Sequence, residues 1–453
     1  MFKKLDYLND GISPLIYKVF LPMLLASTVT VTTQIANTFF MGHEDKVALY
    51  IVGLFLPISF LMTAYIEGFQ ISNQVAIAIE KGRKNEKKIS LLIKNFLLYG
   101  VIVSTVIAIV LSIIAPWIAA FFKVNDLIVN EFISFARYMV FANIIVVLNA
   151  LAMSSLRGFG LVKISSLISV FTALSNILLV FLFVTYAQTG VMSIVWANLI
   201  VSFISLSLSM YYLIRNKILK LDIKGFEFET LGLQKLKSIG IPVALSYVLI
   251  FVSTFFFNKI VSPFGEEAIA GFGVAYRVQT MVLIVAISLG SAIGIIINQN
   301  IGGERLERAY DAYKKGIQTA FYLYLGIGIA VYFSRNFISS ILVESNEVAE
   351  FTTEYLGIVA LSYIIMGPML TTLLLLEQLG KGLQAVVLNL AYFILIIAIS
   401  WYLTRSYQRI EFFYVTISVL NVIGISGIFY GLVVIRKKLG VSNLPKAKLQ
   451  LGG

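Results

Sequence analysis

Twelve apolar stretches follow one another along this chain, at residues 14–40, 49–79, 89–120, 131–155, 163–186, 190–214, 235–261, 268–298, 310–333, 350–377, 382–403 and 411–436. A helix needs about 20 apolar residues to cross the hydrocarbon of a bilayer, and a strand only about 10. In lipid the backbone must satisfy its own hydrogen bonds, so only helices and closed barrels can cross. These stretches are too long for barrel strands, and the chain reads as an all-α polytopic membrane protein. Composition agrees, with 59% of residues hydrophobic and 13% charged. A soluble chain of this length could not bury that much apolar surface. Cysteine is absent from the sequence, which excludes disulfides, Cys-ligated metals and thiol catalysis. Lys3 and Lys4 precede an apolar run that is too long for a signal peptide and has no clear cleavage site. That run reads as the first membrane helix.

The formal net charge of +12 raises the possibility of a nucleic-acid surface, but its distribution argues against one. If the N-terminus is cytoplasmic, 27 of the 35 Lys and Arg residues fall on the cytoplasmic side. That bias is the positive-inside rule. It predicts a plasma-membrane protein with both termini in the cytoplasm and no nucleic-acid partner.

The chain also repeats itself. Gly82, Glu86 and Lys87 match Gly303, Glu307 and Arg308 at a spacing of 221. Pro22 and Pro242, and Gly53 and Gly273, lie 220 apart, and Leu156–Gly160 parallels Leu376–Gly380 at that spacing. Six helices per half is an even number, so both halves have the same orientation. The spacing predicts two six-helix bundles, residues 1–214 and 235–437, related by a pseudo-two-fold axis along the membrane normal. Residues 215–234 form a polar cytoplasmic linker and 438–453 a cytoplasmic tail.

Polar residues fall in helical stripes. Ser59, Thr63, Glu67, Gln70 and Gln74 share one face of the second helix. Ser27, Thr30, Gln34 and Asn37 mark the first helix, Ser165, Ser169, Thr172 and Asn176 the fifth, and Asn198, Ser202, Ser205 and Ser209 the sixth. The seventh has Tyr247, Thr254 and Asn258, and the tenth Thr371 and Thr372. A lone membrane Ser or Thr usually bonds back to its own helix or across to a neighbour. Four aligned stripes predict a polar-lined pocket between helices one, two, five and six. Thr63, Gln74, Thr172, Asn198, Ser202, Tyr247 and Asn258 are the candidate substrate-cavity residues.

Glu67 lies 12 residues before Ile79, roughly 18 Å from the cytoplasmic edge at 1.5 Å per residue. That is near the middle of a core about 30 Å thick. An ionised acid there costs at least about 2.5–3.5 kcal/mol unless paired or hydrated. Glu67 is therefore the candidate site for a coupling cation, with Gln34, Asn37, Gln70 and Asn176 as helpers. The structural alternative is a permanently protonated Glu hydrogen-bonded to a neighbour. Glu377 reads as a boundary ion-pair residue, and Arg277, Lys259 and Arg137 as snorkelling cations. His43, the lone histidine, gives too poor a ligand density for a metal. No P-loop, nucleophile elbow, zinc-protease or kinase pattern occurs, so a transport cycle would draw on an ion gradient.

With these residues in view, the chain resembles the MATE family, the multidrug and toxic compound extrusion transporters of the multidrug, oligosaccharidyl-lipid and polysaccharide exporter superfamily. The resemblance covers nearly the whole sequence. It rests on Asn37–Gly42, Leu156–Gly160, Ser175–Leu179 and the run from Ala275–Arg277 to Gln299–Gly303. It implies twelve helices in two bundles, a V-shaped central cleft, and export of cationic amphipathic compounds driven by protons or Na⁺. It implies no cofactor beyond that ion. Two positions depart from the family pattern: Asn37 stands where an Asp is usual, and Val180 stands where the fifth-helix Asp is expected.

Four functions compete. The first is a MATE-like antiporter of cationic or neutral amphipathic compounds, acting as a monomer in the bilayer. The second is a flippase for lipid-linked saccharides, which would place Lys or Arg in its cavity to hold a pyrophosphate. The sequence offers no base at the midplane. The third, an intramembrane enzyme, would need a second catalytic group beside Glu67. The fourth, a membrane partner protein that does not transport, would have no use for the polar stripes.

Overall fold

The computed structural model describes residues 5–44, 46–220, 227–228 and 230–441, and the side chains of residues 43, 44 and 46 fall outside that description. The His43 side chain, part of the expected linker and most of the expected tail therefore lie outside the described residues. Fifteen α-helices account for most of the described chain: α1 (Ile12–Glu44), α2 (Lys46–Gly82), α3 (Glu86–Phe121), α4 (Val129–Phe159), α5 (Val162–Thr185), α6 (Met192–Arg215), α7 (Thr230–Lys235), α8 (Ile241–Val261), α9 (Glu266–Gly302), α10 (Leu306–Leu342), α11 (Asn346–Val359), α12 (Tyr363–Leu376), α13 (Gly382–Tyr407), α14 (Glu411–Ile423) and α15 (Ile425–Lys438). No strand occurs among the described residues.

Among the described residues, eleven stretches are long and apolar enough to cross a membrane. One of them, Asn346–Tyr407, is 62 residues long. As a straight helix it would run about 93 Å, three times the hydrocarbon thickness of about 30 Å. It is not straight. A π-helical turn, Glu377–Lys381, joins α12 to α13, and inside it Gly380 has φ +73°. An L side chain resists that left-handed conformation and glycine does not.

The turns repeat along the chain as the sequence does. Gly160, which ends α4, has φ +100°, and Gly380 lies 220 residues later with the same sign of φ. Lys84 and Glu304, both at φ +59°, share that spacing, as do Gln188 at +49° and Gln408 at +53°. Asn85 N donates to Glu80 O at 3.0 Å, and 220 residues on Arg305 N donates to Asn300 O at 2.8 Å.

The chain divides into two compact units, Lys18–Val248 and Met1–Tyr17 with Leu249–Gly453. Each half thus lends its first segment to the other unit. In the first unit a core around Phe55, Phe132 and Phe135 holds one part of the bundle. A second cluster around Ile77, Ile93, Leu156 and Leu213 holds another. Asn73, fully buried, stitches α2 to α4: its Nδ2 donates to Leu151 O at 2.9 Å, Ser154 Oγ at 2.8 Å and Ser155 Oγ at 2.9 Å. The π-helical turn Leu236–Gly240 packs against α2 so closely that a Cβ at Gly68 would lie 2.4 Å from Gly240 O. This contact holds residues 230–248 in the first unit. The linker is tied to α3 at both described ends. Lys220 N donates to Ser90 Oγ at 2.9 Å, and Asn95 Nδ2 donates to Glu227 O at 3.0 Å.

The second unit has an aromatic core. Phe257, Phe272, Tyr355, Phe413 and Tyr414 pack edge to face or tilted, with ring centres 5.1–5.9 Å apart, within the range that favours aromatic pairs. Tyr324 donates its hydroxyl to Val282 O at 2.6 Å. The N-terminal segment docks here, where Asn300 Nδ2 donates to Tyr7 O at 3.1 Å and Arg305 Nη1 donates to Leu8 O at 2.7 Å.

Candidate functional site

Two polar constellations lie within the first unit. The first bridges three helices through side-chain amides. Asn37 of α1 donates from Nδ2 to Asn176 Oδ1 of α5 at 2.8 Å, and Asn176 in turn donates from Nδ2 to Asn198 Oδ1 of α6 at 2.9 Å. The amides align head to tail, so each bond polarises the next in a medium of low dielectric. The chain of amides is open at one end: Asn37 Oδ1 is buried and accepts no hydrogen bond. A buried carbonyl oxygen without a donor is costly. It is also an acceptor available to a proton donor or a hard cation.

The second constellation centres on Glu67. Gln70, three residues on along α2, donates from Nε2 to Glu67 Oε2 at 3.3 Å. Glu67 is half-buried, and the next residue, Gly68, is closely approached by Gly240. The Arg157 guanidinium of α4 is near enough to interact electrostatically with the carboxylate. Arg157 Nε and Nη2 are buried and donate no hydrogen bond. By position along α4, Arg157 reads as a residue of the cytoplasmic boundary. Helical side chains point back toward the N-terminus of their helix, so a long side chain near the end of α4 reaches into the unit rather than out of it. Glu67 and Arg157 make no direct ion pair, but Arg157 is the basic group whose field reaches the carboxylate, which residue position alone does not reveal.

The other candidates fall into groups. No hydrogen bond joins the amide chain to Glu67 among the described residues, and the Gln34 side chain is exposed. Thr63 Oγ1 donates to Ser59 O at 2.9 Å and Thr172 Oγ1 to Ile168 O at 2.8 Å, each within its own helix. Asn258 likewise donates to Thr254 O at 3.1 Å and is exposed. Gln74 is buried at 2% exposure, and Ser202 is half-buried. Tyr247 packs against the cluster formed by Ile71, Val75, Ile79, Ile239 and Val243 in the first unit. Asn73 and the Tyr65–Asn143 hydrogen bond are polar links that the stripes do not single out. Asn73 lies one residue before Gln74, off the polar face, and the Tyr65 hydroxyl is carried on an otherwise apolar ring. Glu377 is buried at 2% exposure inside the π-helical turn. Arg137 donates from Nε to Ser112 O at 3.2 Å, and Arg277 and Lys259 are exposed.

The MatE family model matches the chain twice, over residues 22–182 and 242–402, two stretches that begin 220 residues apart. The chain is 24% identical over 358 residues to "Probable multidrug resistance protein YoeA" of Bacillus subtilis, covering 76% of this chain and 77% of that one. It is 20% identical over 394 residues to an FAD transporter of Shewanella oneidensis, covering 86% and 87%. Its fold is similar to the crystal structure of the Vibrio cholerae MATE transporter VcmN in the bent form, with a TM-score of 0.88 and 18% identity, covering 95% of this chain and 98% of that one.

Proposed function

We propose that this protein, which belongs to the MatE family of membrane transporters, exports cationic or neutral amphipathic organic compounds in exchange for protons or Na⁺, driven by the gradient of that ion, by alternating access. The observation that carries the reading is Glu67, a carboxylate within a helix of membrane length, set between the Gln70 amide and the field of Arg157. Protonated, it suits an apolar surrounding; ionised, it calls on Arg157. A ligand shifts a conformational equilibrium only by its differential affinity for the two states, and a proton or Na⁺ at Glu67 has that property if the distance to Arg157 differs between them. The open acceptor at Asn37 Oδ1 is a second place for the coupling cation.

The break at Gly380 supports counting Asn346–Tyr407 as two crossings, which brings the eleven apolar stretches to the expected twelve. The repeated backbone geometry at 220-residue spacing supports two halves of like fold. The charge bias favours cytoplasmic termini in a plasma membrane. No cofactor beyond the coupling ion is required, and one chain in the bilayer suffices.

One observation favours a second reading. Arg157 is a base inside the first unit with unpartnered donors, and such a group suits the phosphate of a lipid-linked saccharide or another anionic substrate. Purified protein in liposomes, given an imposed proton or Na⁺ gradient and a panel of cationic, neutral and anionic fluorescent compounds, separates the two. Gradient-dependent movement of cations supports the first reading. Movement of anions alone supports the second.

A further inference from the structure

A cavity of about 350 Å³ lies in the second unit between the end of α8 and the end of α13. Its lining combines Ile260, Phe264 and Trp401 with the cations Lys259 and Arg405 and the amide of Gln408. We propose that this cavity binds the phosphate headgroup of an anionic phospholipid, with phosphatidylglycerol as the type.

The cavity sits at the ends of two helices of membrane length, which is the level of headgroups rather than of acyl chains. Its buried floor is mainly apolar, with Ile260 2% exposed and the hydroxyl of Thr404 turned to Ser400 O in its own helix, and the lining carries two positive charges and no acid. Neither cation has a carboxylate partner among the described residues. The Arg405 guanidinium lies over the Trp401 ring at 3.9 Å, which holds its charge at the cavity, and a guanidinium can present two N–H groups to phosphate oxygens. The neighbouring Arg409 is different: it is neutralised by Glu411 at 2.7 Å and does not line the cavity. Scattered snorkelling explains single basic residues at helix ends. It does not explain two unpaired ones converging from separate helices on one apolar hollow. The volume is at the small end of ligand sites, suited to a headgroup rather than to a drug-sized molecule. Free phosphate is also an anion, of equal or greater charge, but the apolar floor adds nothing to its binding, whereas it covers the glycerol end of a lipid.

Trp401 is a built-in reporter. The chain has three tryptophans, and the other two, Trp117 and Trp196, are exposed residues of the first unit. In a Trp117→Phe, Trp196→Phe background, the protein is reconstituted into phosphatidylcholine bilayers. These contain either phosphatidylglycerol or phosphatidylcholine brominated near the glycerol end of its chains. Brominated phosphatidylglycerol is expected to quench Trp401 with an apparent preference of about 5–30-fold, a factor of roughly five for each cation near the surface. In Lys259→Gln with Arg405→Gln, the preference should fall to about one while quenching by brominated phosphatidylcholine persists. Equal quenching by the two lipids in the parent protein overturns the proposal, as does a preference that survives the double substitution. Added inorganic phosphate should leave the preference intact; its abolition by millimolar phosphate would assign the cavity to the free anion instead. None of these readouts depends on transport.

Discussion

Asn37 donates its side-chain amide to Asn176 Oδ1 at 2.8 Å, across 139 residues of sequence, and keeps its own Oδ1 buried without a donor. Replacing Asn37 by Leu removes the donor and leaves Asn176 Oδ1 unsatisfied, a loss of about 1–3 kcal/mol. Asn37→Asp keeps an acceptor at the open end and adds a titratable group there. The Leu variant should lose thermal stability in detergent. The Asp variant should fold, and its transport should gain a dependence on pH that the parent lacks at this position. A Leu variant as stable as the parent would show that the amide chain holds nothing together.

Glu67 and Arg157 should behave as a coupled pair. Arg157→Gln removes the counter-charge and leaves Glu67 to ionise in a poorly hydrated setting, so it should destabilise more than Glu67→Gln with Arg157→Gln. A double-mutant cycle on thermal stability should return a coupling of about 0.5–3 kcal/mol. Strict additivity would mean that the two charges do not sense each other.

The approach of α2 to the Leu236–Gly240 turn leaves no room at Gly68. A Cβ there would sit 2.4 Å from Gly240 O, a backbone atom that cannot rotate away. Gly68→Leu should therefore force the two segments apart, at a cost of about 1–3 kcal/mol or more. Gly53, where a Cβ meets nothing within 4 Å, is the control. The melting temperature of Gly53→Ala should match the parent, and that of Gly68→Leu should fall. Equal melting temperatures would show that the close approach at Gly68 contributes nothing to stability.

The N-terminal segment has its own pH dependence. Asp6 accepts from Asn9 Nδ2 at 2.7 Å and from the Leu8 and Asn9 backbone amides at 3.0 and 3.1 Å. The Asn9 side chain foremost, then those amides and Arg305, hold its carboxyl below the ordinary aspartate value. The folded value is depressed, so this turn's contribution is fully present above the unfolded value of about 3.9. It is lost as pH falls through the lower folded value. Proteolysis of residues 5–12 should accelerate in strong acid, and Asp6→Asn should weaken the pH dependence. A cleavage rate with the same pH profile in both proteins would contradict this.

Much of the architecture is legible in the sequence because lipid admits so few backbones: long apolar runs have to be helices. The repeat is legible too, and Gly160 and Gly380 mark left-handed turns at matching positions. Hydropathy divides the run from 346 to 407 into two stretches, 350–377 and 382–403. The backbone is continuous helix and turn through that boundary, broken only in dihedral angle at Gly380. The site is less legible. The stripes place Asn37, Asn176 and Asn198 on separate helices, but pairing among helices is set by packing that periodicity does not encode. Thr63 and Thr172 bond to their own helices, as hydroxyls in apolar surroundings commonly do. Arg157 escapes a reading by position for a geometric reason: its place in the sequence fixes the Cα depth, while its long side chain decides where the charge sits.

Glu67 as carrier of the coupling cation is open to direct measurement. Export of a cationic dye from proteoliposomes is followed under an imposed proton or Na⁺ gradient, for the parent and for Glu67→Gln, with insertion and orientation matched. Gln keeps the size and the hydrogen bond to Gln70 but cannot ionise. We expect gradient-dependent export by the parent, and export by Glu67→Gln that no longer responds to the gradient. Gradient-driven export by Glu67→Gln at the parent rate would contradict the assignment and move the coupling site elsewhere.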